Sequence, residues 1–285
     1  MCTHFYLQYQ SQELKDIMQA AVDSKLANRL IHERAKPVKT YGEIRPTDVV
    51  PVIAPNSRGI RAVFPMQWGF HLPKSDKPLV NARCETAATK PTFKDAWQSH
   101  RCIIPASYYY EWEHFKSPDG KVKTGDKYII QPKGSMVTWL CGLYRIEDTF
   151  PVFTVLTREP SEELSQIHDR MPLILPKERI EEWISPESKP EDILPYALTD
   201  MMYHLTIQSG FMSLYVLKGS GDPVQFPVFY KPGSGLVIGE PDIIFQALFM
   251  QVQYPLIVTG TGIRTGFPAN GYGFDLAGAV LKIGA

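Results

Sequence analysis

The feature that most constrains this chain is a succession of short apolar runs whose large side chains recur at every second residue, separated by proline, glycine and polar turns. Across residues 63–70 the side chains Phe64, Met66, Trp68 and Phe70 alternate in this way, which is the period of a half-buried strand. Extended runs of the same kind fall at 44–53, 107–113, 127–131, 136–146 and 152–156. Strands this short are stable only when several pair into a sheet that closes over a shared core. The prolines within 44–53 favour sheet edges or strand ends. Helical spacing is rarer. Ser11 is placed to cap one helix whose apolar positions are Leu14, Ile17, Met18, Ala21, Val22 and Leu26, with Pro37 and Gly42 ending it. Shorter helices are expected over 92–99 and 161–167, and one starts at Pro176 with Ile180, Trp183 and Ile184 on its buried side. Together these patterns predict an α+β fold, with a curved mixed or antiparallel sheet forming an open, barrel-like core and helices flanking it.

Composition bounds the partners. The 30 basic and 30 acidic residues cancel, so any polyanion must be held by a local patch rather than by the field of the whole chain. Cys2, Cys84, Cys102 and Cys141 are widely spaced with no C-x-x-C, which argues against a zinc ribbon or redox motif and for reduced thiols in a cytosolic compartment. Neither a basic segment followed by an apolar run at the amino end nor an uninterrupted apolar window of about 18 residues is present, so no secretion signal or membrane span is expected. From about Thr206 charge becomes sparse and glycine frequent, which divides the chain into a domain at 1–205 and a Gly-rich, β-type extension at 206–285.

Four places carry chemistry. A small residue at position 2 allows Met1 to be trimmed, after which Cys2 offers a thiol and an α-amine on adjacent carbons. Such a 1,2-aminothiol condenses with an aldehyde through a Schiff base and closes a five-membered thiazolidine. The amine suits this, since α-amino groups titrate near about 7.7–8.0 and a useful fraction is unprotonated at neutral pH. Glu111 lies between Tyr110 and Trp112 in an aromatic strand, where a carboxylate either faces water or is buried as a general acid/base. His168 sits between a helical and an extended pattern, next to Asp169 and Arg170. Asn81, Arg83 and Glu85 alternate and suggest one polar strand face, or alternatively an ion-pair ladder of Arg83 with Glu85 or Glu111.

In order and spacing, Met1-Cys2, Arg45-Pro46-Thr47, Trp68-Gly69, Asn81-Ala82-Arg83-Cys84-Glu85-Thr86, Arg101-Cys102-Ile103-Ile104-Pro105-Ala106, Tyr110-Glu111-Trp112 and His168-Asp169-Arg170-Met171-Pro172 resemble the SRAP (SOS-response-associated peptidase) family. The resemblance covers residues 2 to about 205. It implies a sensor of abasic sites in single-stranded DNA, in which Cys2 forms a thiazolidine with the open-chain aldehyde of the sugar. It implies further that Glu111 transfers protons, His168 holds or protonates the opened sugar, Asn81 orients the amine and Arg83 engages the DNA backbone. Arg170, Lys90 and His4 are expected to join Arg83 in a DNA groove, with Trp68 as a stacking platform. Thr3 and His4 replace the family's usual Gly-Arg, so weaker or more pH-dependent DNA binding is expected. No metal and no cofactor are expected, and the protein reads as a cytoplasmic or nucleoid-associated monomer. Two other readings stay open: a thiol peptidase or hydrolase with Cys2 as nucleophile and His168 as base, and a non-catalytic single-strand binding module.

Overall fold

The computed structural model describes residues 2–8, 11–73, 75–117 and 119–206, together with the backbone of four strands farther on. The chain separates into two compact units, Met1–Tyr203 and His204–Ala285.

In chain order the strands begin with β1 (His4–Leu7), β2 (Gly42–Ile44), β3 (Val49–Pro55), β4 (Arg61–Trp68), β5 (Phe70–Leu72), β6 (Ser75–Leu79) and β7 (Asn81–Arg83). They continue with β8 (Arg101–Ala106), β9 (Tyr108–Lys116), β10 (Val122–Pro132), β11 (Thr138–Glu147), β12 (Phe150–Arg158), β13 (Met171–Pro172) and β14 (Met201–Leu205). One sheet has the order β14-β10-β9-β1-β2. In the other, β11, β8, β3, β4 and β12 follow one another and β12 pairs back onto β11, so five strands close into a ring. The curved, barrel-like core expected from the alternation is therefore present, and its ring is closed rather than open. Closure leaves none of these five strands with a free edge.

Two prolines show how the ring tolerates residues that lack a donor. Pro51 and Pro65 face one another directly in the β3–β4 register. Both missing N–H groups thus fall on one rung, and β3 is an interior strand, not the edge that its prolines suggested. At the end of β4, Gly69 has φ +114, and a Cβ there would stand 2.6 Å from Pro78 Cβ, so the bend into β5 requires glycine. Trp68, just before it, is fully buried. Its ring stacks on Phe153 at 6.0 Å and tilts onto Phe5 at 5.2 Å, while Nε1 donates to the Val80 carbonyl at 2.9 Å. This corrects the expectation of a DNA-stacking platform: the ring has no exposed face to offer a base.

The helices also depart from the sequence pattern. α1 (Gln12–Val22) starts where Ser11 Oγ accepts from the Leu14 N–H, as expected, but it stops at Asp23. Ser24 then caps a separate α2 (Lys25–Arg34), accepting from the Ala27 N–H. Two serine caps in succession divide the single expected helix, which leaves Val22 43% exposed. α3 (Cys84–Ala87) begins directly after β7, so Glu85 belongs to a helix and shares no strand face with Asn81 and Arg83. The expected helix over 161–167 is instead a run of turns, held by bonds such as Leu164 N–H to the Ser161 carbonyl. α4 (Lys94–Ser99) and α5 (Ile180–Ile184) bury Trp97 and Trp183 against each other at 6.1 Å. The fully buried Arg101 holds both helix ends, donating to the carbonyls of Trp97, Gln98, Trp183, Ser185 and Ser188.

In the second unit, β15 (Met212–Leu217), β16 (Pro223–Lys231), β17 (Gly235–Val237) and β18 (Leu256–Ile257) form an antiparallel sheet of order β17-β16-β15-β18. The rest of the expected extension at 206–285 lies outside the described residues.

Candidate active site

The amino end is built into the sheet. β1 lies between β9 and β2 with the register His4↔Tyr110, Phe5↔Tyr109 and Phe5↔Ile44, and the inward Phe5 and Leu7 are fully buried. That register fixes Cys2 two residues ahead of a locked strand. Cys2 has no exposed surface and belongs to the main core, so this residue near the amino end is packed rather than frayed. Asn81 Nδ2 donates to the Cys2 carbonyl at 2.8 Å, tying the first residues to β7. The Cys2 thiol lies 3.8 Å from the His4 carbonyl. Burial pushes that thiol far above its ordinary range, and the charge of Glu111 adds to the rise.

Glu111 shares the inward face of β9 with Tyr109 and is 3% exposed. Burial pushes its carboxyl up to about 7, and the Trp112 N–H donates to Oε1 at 3.3 Å. A carboxyl poised there exchanges protons in either direction at neutral pH. His168, on the segment between β12 and β13, is 7% exposed, and burial lowers its imidazole to about 4. Nδ1 accepts from the Arg170 N–H at 3.0 Å, which fixes the neutral ring with its proton on Nε2. Asp169 Oδ1 lies 2.8 Å from the same nitrogen, and the two contacts exclude each other: a protonated Nδ1 serves Asp169 and a bare one serves Arg170. The lowered pKa makes the ring neutral, and the backbone N–H of Arg170, fixed in place where the Asp169 side chain is 80% exposed and free to turn away, assigns the bare nitrogen to Nδ1. The His168 ring also packs on His114 at 4.5 Å between centroids.

Glu111, His168, Asp169, Arg170, Arg83 and His4 line one cleft of about 500 Å³, together with Thr3, Trp112, His114 and Thr124. Of these, Arg83 is solvent-exposed. Arg170 is 8% exposed and is committed elsewhere, bidentate to Glu85 at 2.9 and 2.8 Å and donating to the Thr157 carbonyl at 2.7 Å. Arg170 thus lines the expected groove, but its terminal nitrogens are already held by Glu85 and Thr157, and the Glu85 half of the ladder alternative is excluded because Glu85 pairs with Arg170 rather than Arg83. Lys90 is exposed in the turn after α3 and does not line the cleft. His4 packs edge-on to Trp112 at 4.9 Å and lies 3.7 Å from Glu43. Burial lowers its imidazole below the ordinary range. Trp112, His114 and Thr124 are cleft residues that the sequence reading did not assign to the site, although the first two stand within three residues of Glu111. Among the described residues, no group of three or more His, Cys, Asp or Glu is placed to hold a metal ion, and no helix is long and apolar enough to cross a membrane.

Comparison with known proteins agrees with this architecture. The family described as SOS response associated peptidase (SRAP) matches residues 1–209. The abasic site processing protein YoaM of Bacillus subtilis is 37% identical over 151 residues, covering 48% of this chain and 64% of that protein. YedK of Escherichia coli, with the same description, is 36% identical over 131 residues, or 43% of this chain and 55% of that one. The matched stretch is thus under two thirds of either relative's length. A crystal structure of a protein from Bacteroides thetaiotaomicron aligns with a TM-score of 0.54 at 20% identity, over 73% of this chain and 93% of its own. A phage-related protein from Bordetella bronchiseptica aligns at 0.51 and 20%, over 79% and 100%. At that identity the likeness concerns the fold. With the family matched from the amino end through the last strand of the first unit, the chain belongs to the SOS response associated peptidase (SRAP) family.

Proposed function

We propose that this protein recognises abasic sites in single-stranded DNA and captures them as a covalent thiazolidine on Cys2, shielding the lesion. Relatives named abasic site processing proteins support the substrate class. One observation carries the chemistry: Cys2, tethered by Asn81, is buried beside a cleft whose carboxyl, Glu111, titrates near neutrality.

In this reading Met1 is removed and the Cys2 amine adds to the sugar aldehyde. The carbinolamine loses water to give the imine, and Sγ adds to the imine carbon. The thiol proton passes by way of Glu111 to the nitrogen, so the sum is one C–N and one C–S bond formed and one water released. A thiol raised by burial needs such a base at its side. His168, neutral with its proton on Nε2, acts as a hydrogen-bond donor to the oxygen of the opened sugar rather than as a strong acid. Arg83 meets the backbone phosphate, and Trp112 is the ring at the cleft against which a neighbouring base stacks. Selectivity is chemical, since a nucleotide that keeps its base cannot open to an aldehyde. The function is assigned to residues 1–205, acting as a cytoplasmic monomer.

The thiol-hydrolase reading fares worse on the same geometry. Hydrolytic cysteines are activated by a depressed pKa, whereas here burial and Glu111 both push the thiol up. The test is a denaturing gel after incubation with an abasic oligonucleotide. A heat-stable shifted band is expected for single-stranded abasic DNA and none for intact DNA. Blocking the α-amine while sparing the thiol should remove the band, and its persistence would overturn the proposal.

A further inference from the structure

Glu111, His168 and Arg170, which line the cleft, also line a second space of about 150 Å³ too narrow to admit a water. Four apolar side chains, Ile130, Leu164, Ile167 and Met171, line it alongside Tyr109, Glu111, His168 and Arg170. Two donor atoms on this lining are buried with no hydrogen-bond partner: the Tyr109 hydroxyl, on a residue 1% exposed, and Arg170 Nε. Because no water fits, neither is rescued by solvent, and atoms left in this condition weaken a protein unless another state uses them. Both are donors. The acceptor they share access to is the carboxylate of Glu111, two residues from Tyr109 on the same face of β9.

On the reading of Glu111 as the proton carrier, we infer that Tyr109 is a positioning residue, whose hydroxyl, with Arg170 Nε behind it, is held in reserve to receive the Glu111 carboxylate when that group gives up its proton. The resting site then keeps the acid form. A contact already built reduces the cost of ionising Glu111, which must happen before it can take the thiol proton. The titratable and charged groups around Glu111 come from several elements: Cys2 from the amino end, Arg83 from β7, His114 from β9, and His168, Asp169 and Arg170 from the segment leading into β13. All of these remain in place when Tyr109 loses only its hydroxyl.

Tyr109→Phe tests this. Removing a donor that serves only the carboxylate raises the pH midpoint of capture by about one unit, so the rate well below the midpoint falls about tenfold and the rate above it is preserved. The denaturation midpoint of the variant should be unchanged or higher, because no resting hydrogen bond is lost. A purely structural role for the hydroxyl predicts the same stability with an unmoved pH profile, and that result would overturn the inference. Equal slowing at every pH would overturn it as well, since it would mark a substrate contact. The Glu111 carboxyl titration, followed by carbon-13 NMR in both proteins without DNA, should move upward in the variant. That readout separates failure of this inference from failure of the capture reaction.

Discussion

Replacing Glu111 by Gln separates the cost of burying a carboxylate from its chemical use. The side chain is 3% exposed, and its carboxyl is raised from 4.5 to about 7, a difference of about 2.5 pH units. At about 1.4 kcal/mol per unit, this amounts to on the order of 3 kcal/mol. Because the folded-state pKa is the higher one, the native protein holds this proton more tightly than the unfolded chain does. The penalty is therefore absent below the unfolded value near 4.5, grows as pH rises towards 7, and is complete above it. Glutamine never pays it. Urea denaturation of both proteins at intervals from about pH 4 to pH 8.5 gives the difference in unfolding free energy. Taking that difference cancels the titration of groups common to both, including the lowered His168. The variant should gain on the wild type by on the order of 3 kcal/mol across this range, while losing capture rate by about 10²–10⁴-fold. A difference that stays flat with pH, or shrinks as pH rises, would refute the claim that burial holds this carboxyl near neutrality.

Cys2→Ala should abolish the adduct on a denaturing gel and also lower stability by about 1–2 kcal/mol in urea titration, because the residue is fully buried in the core. Asn81→Ala removes the 2.8 Å bond to the Cys2 carbonyl, so single-turnover capture should slow while unfolding costs about 1 kcal/mol less. Arg83→Gln should weaken noncovalent binding and reduce the slope of log affinity against log salt by about 0.7, as expected for one contact to single-stranded phosphate. A salt slope equal to the wild type's would remove Arg83 from the DNA path.

Much of the fold was legible because period-two alternation is a local signal. Phe64, Met66, Trp68 and Phe70 announced a strand, and Ser11 announced a helix start, without knowledge of any distant partner. The same alternation told less about which side of the sheet faces solvent, so Trp68 was read as a platform when its indole is sealed between Phe5 and Phe153. The pairing of Arg170 escapes the sequence for a related reason. Its partner Glu85 is 85 residues away in the chain and reaches it only after β12, β7 and α3 assemble. Glu111 and His168 were recognisable as candidates because a carboxylate in an aromatic strand and a histidine at a junction are locally unusual. Their pKa values were not, since burial is a property of the closed core. The division at Asp23 and Ser24 could have been seen, for Ser24 is a second cap three residues ahead of Ala27.

The most direct measurement is the intact mass of the species formed with an abasic single-stranded oligonucleotide, taken before and after borohydride treatment. The expected mass is that of the protein without Met1 plus the oligonucleotide minus one water, unchanged by borohydride because a closed thiazolidine holds no reducible imine. An adduct that retains Met1 would place the bond on another amine, and one that survives denaturation only after reduction would be an open imine; either result contradicts thiazolidine capture by Cys2.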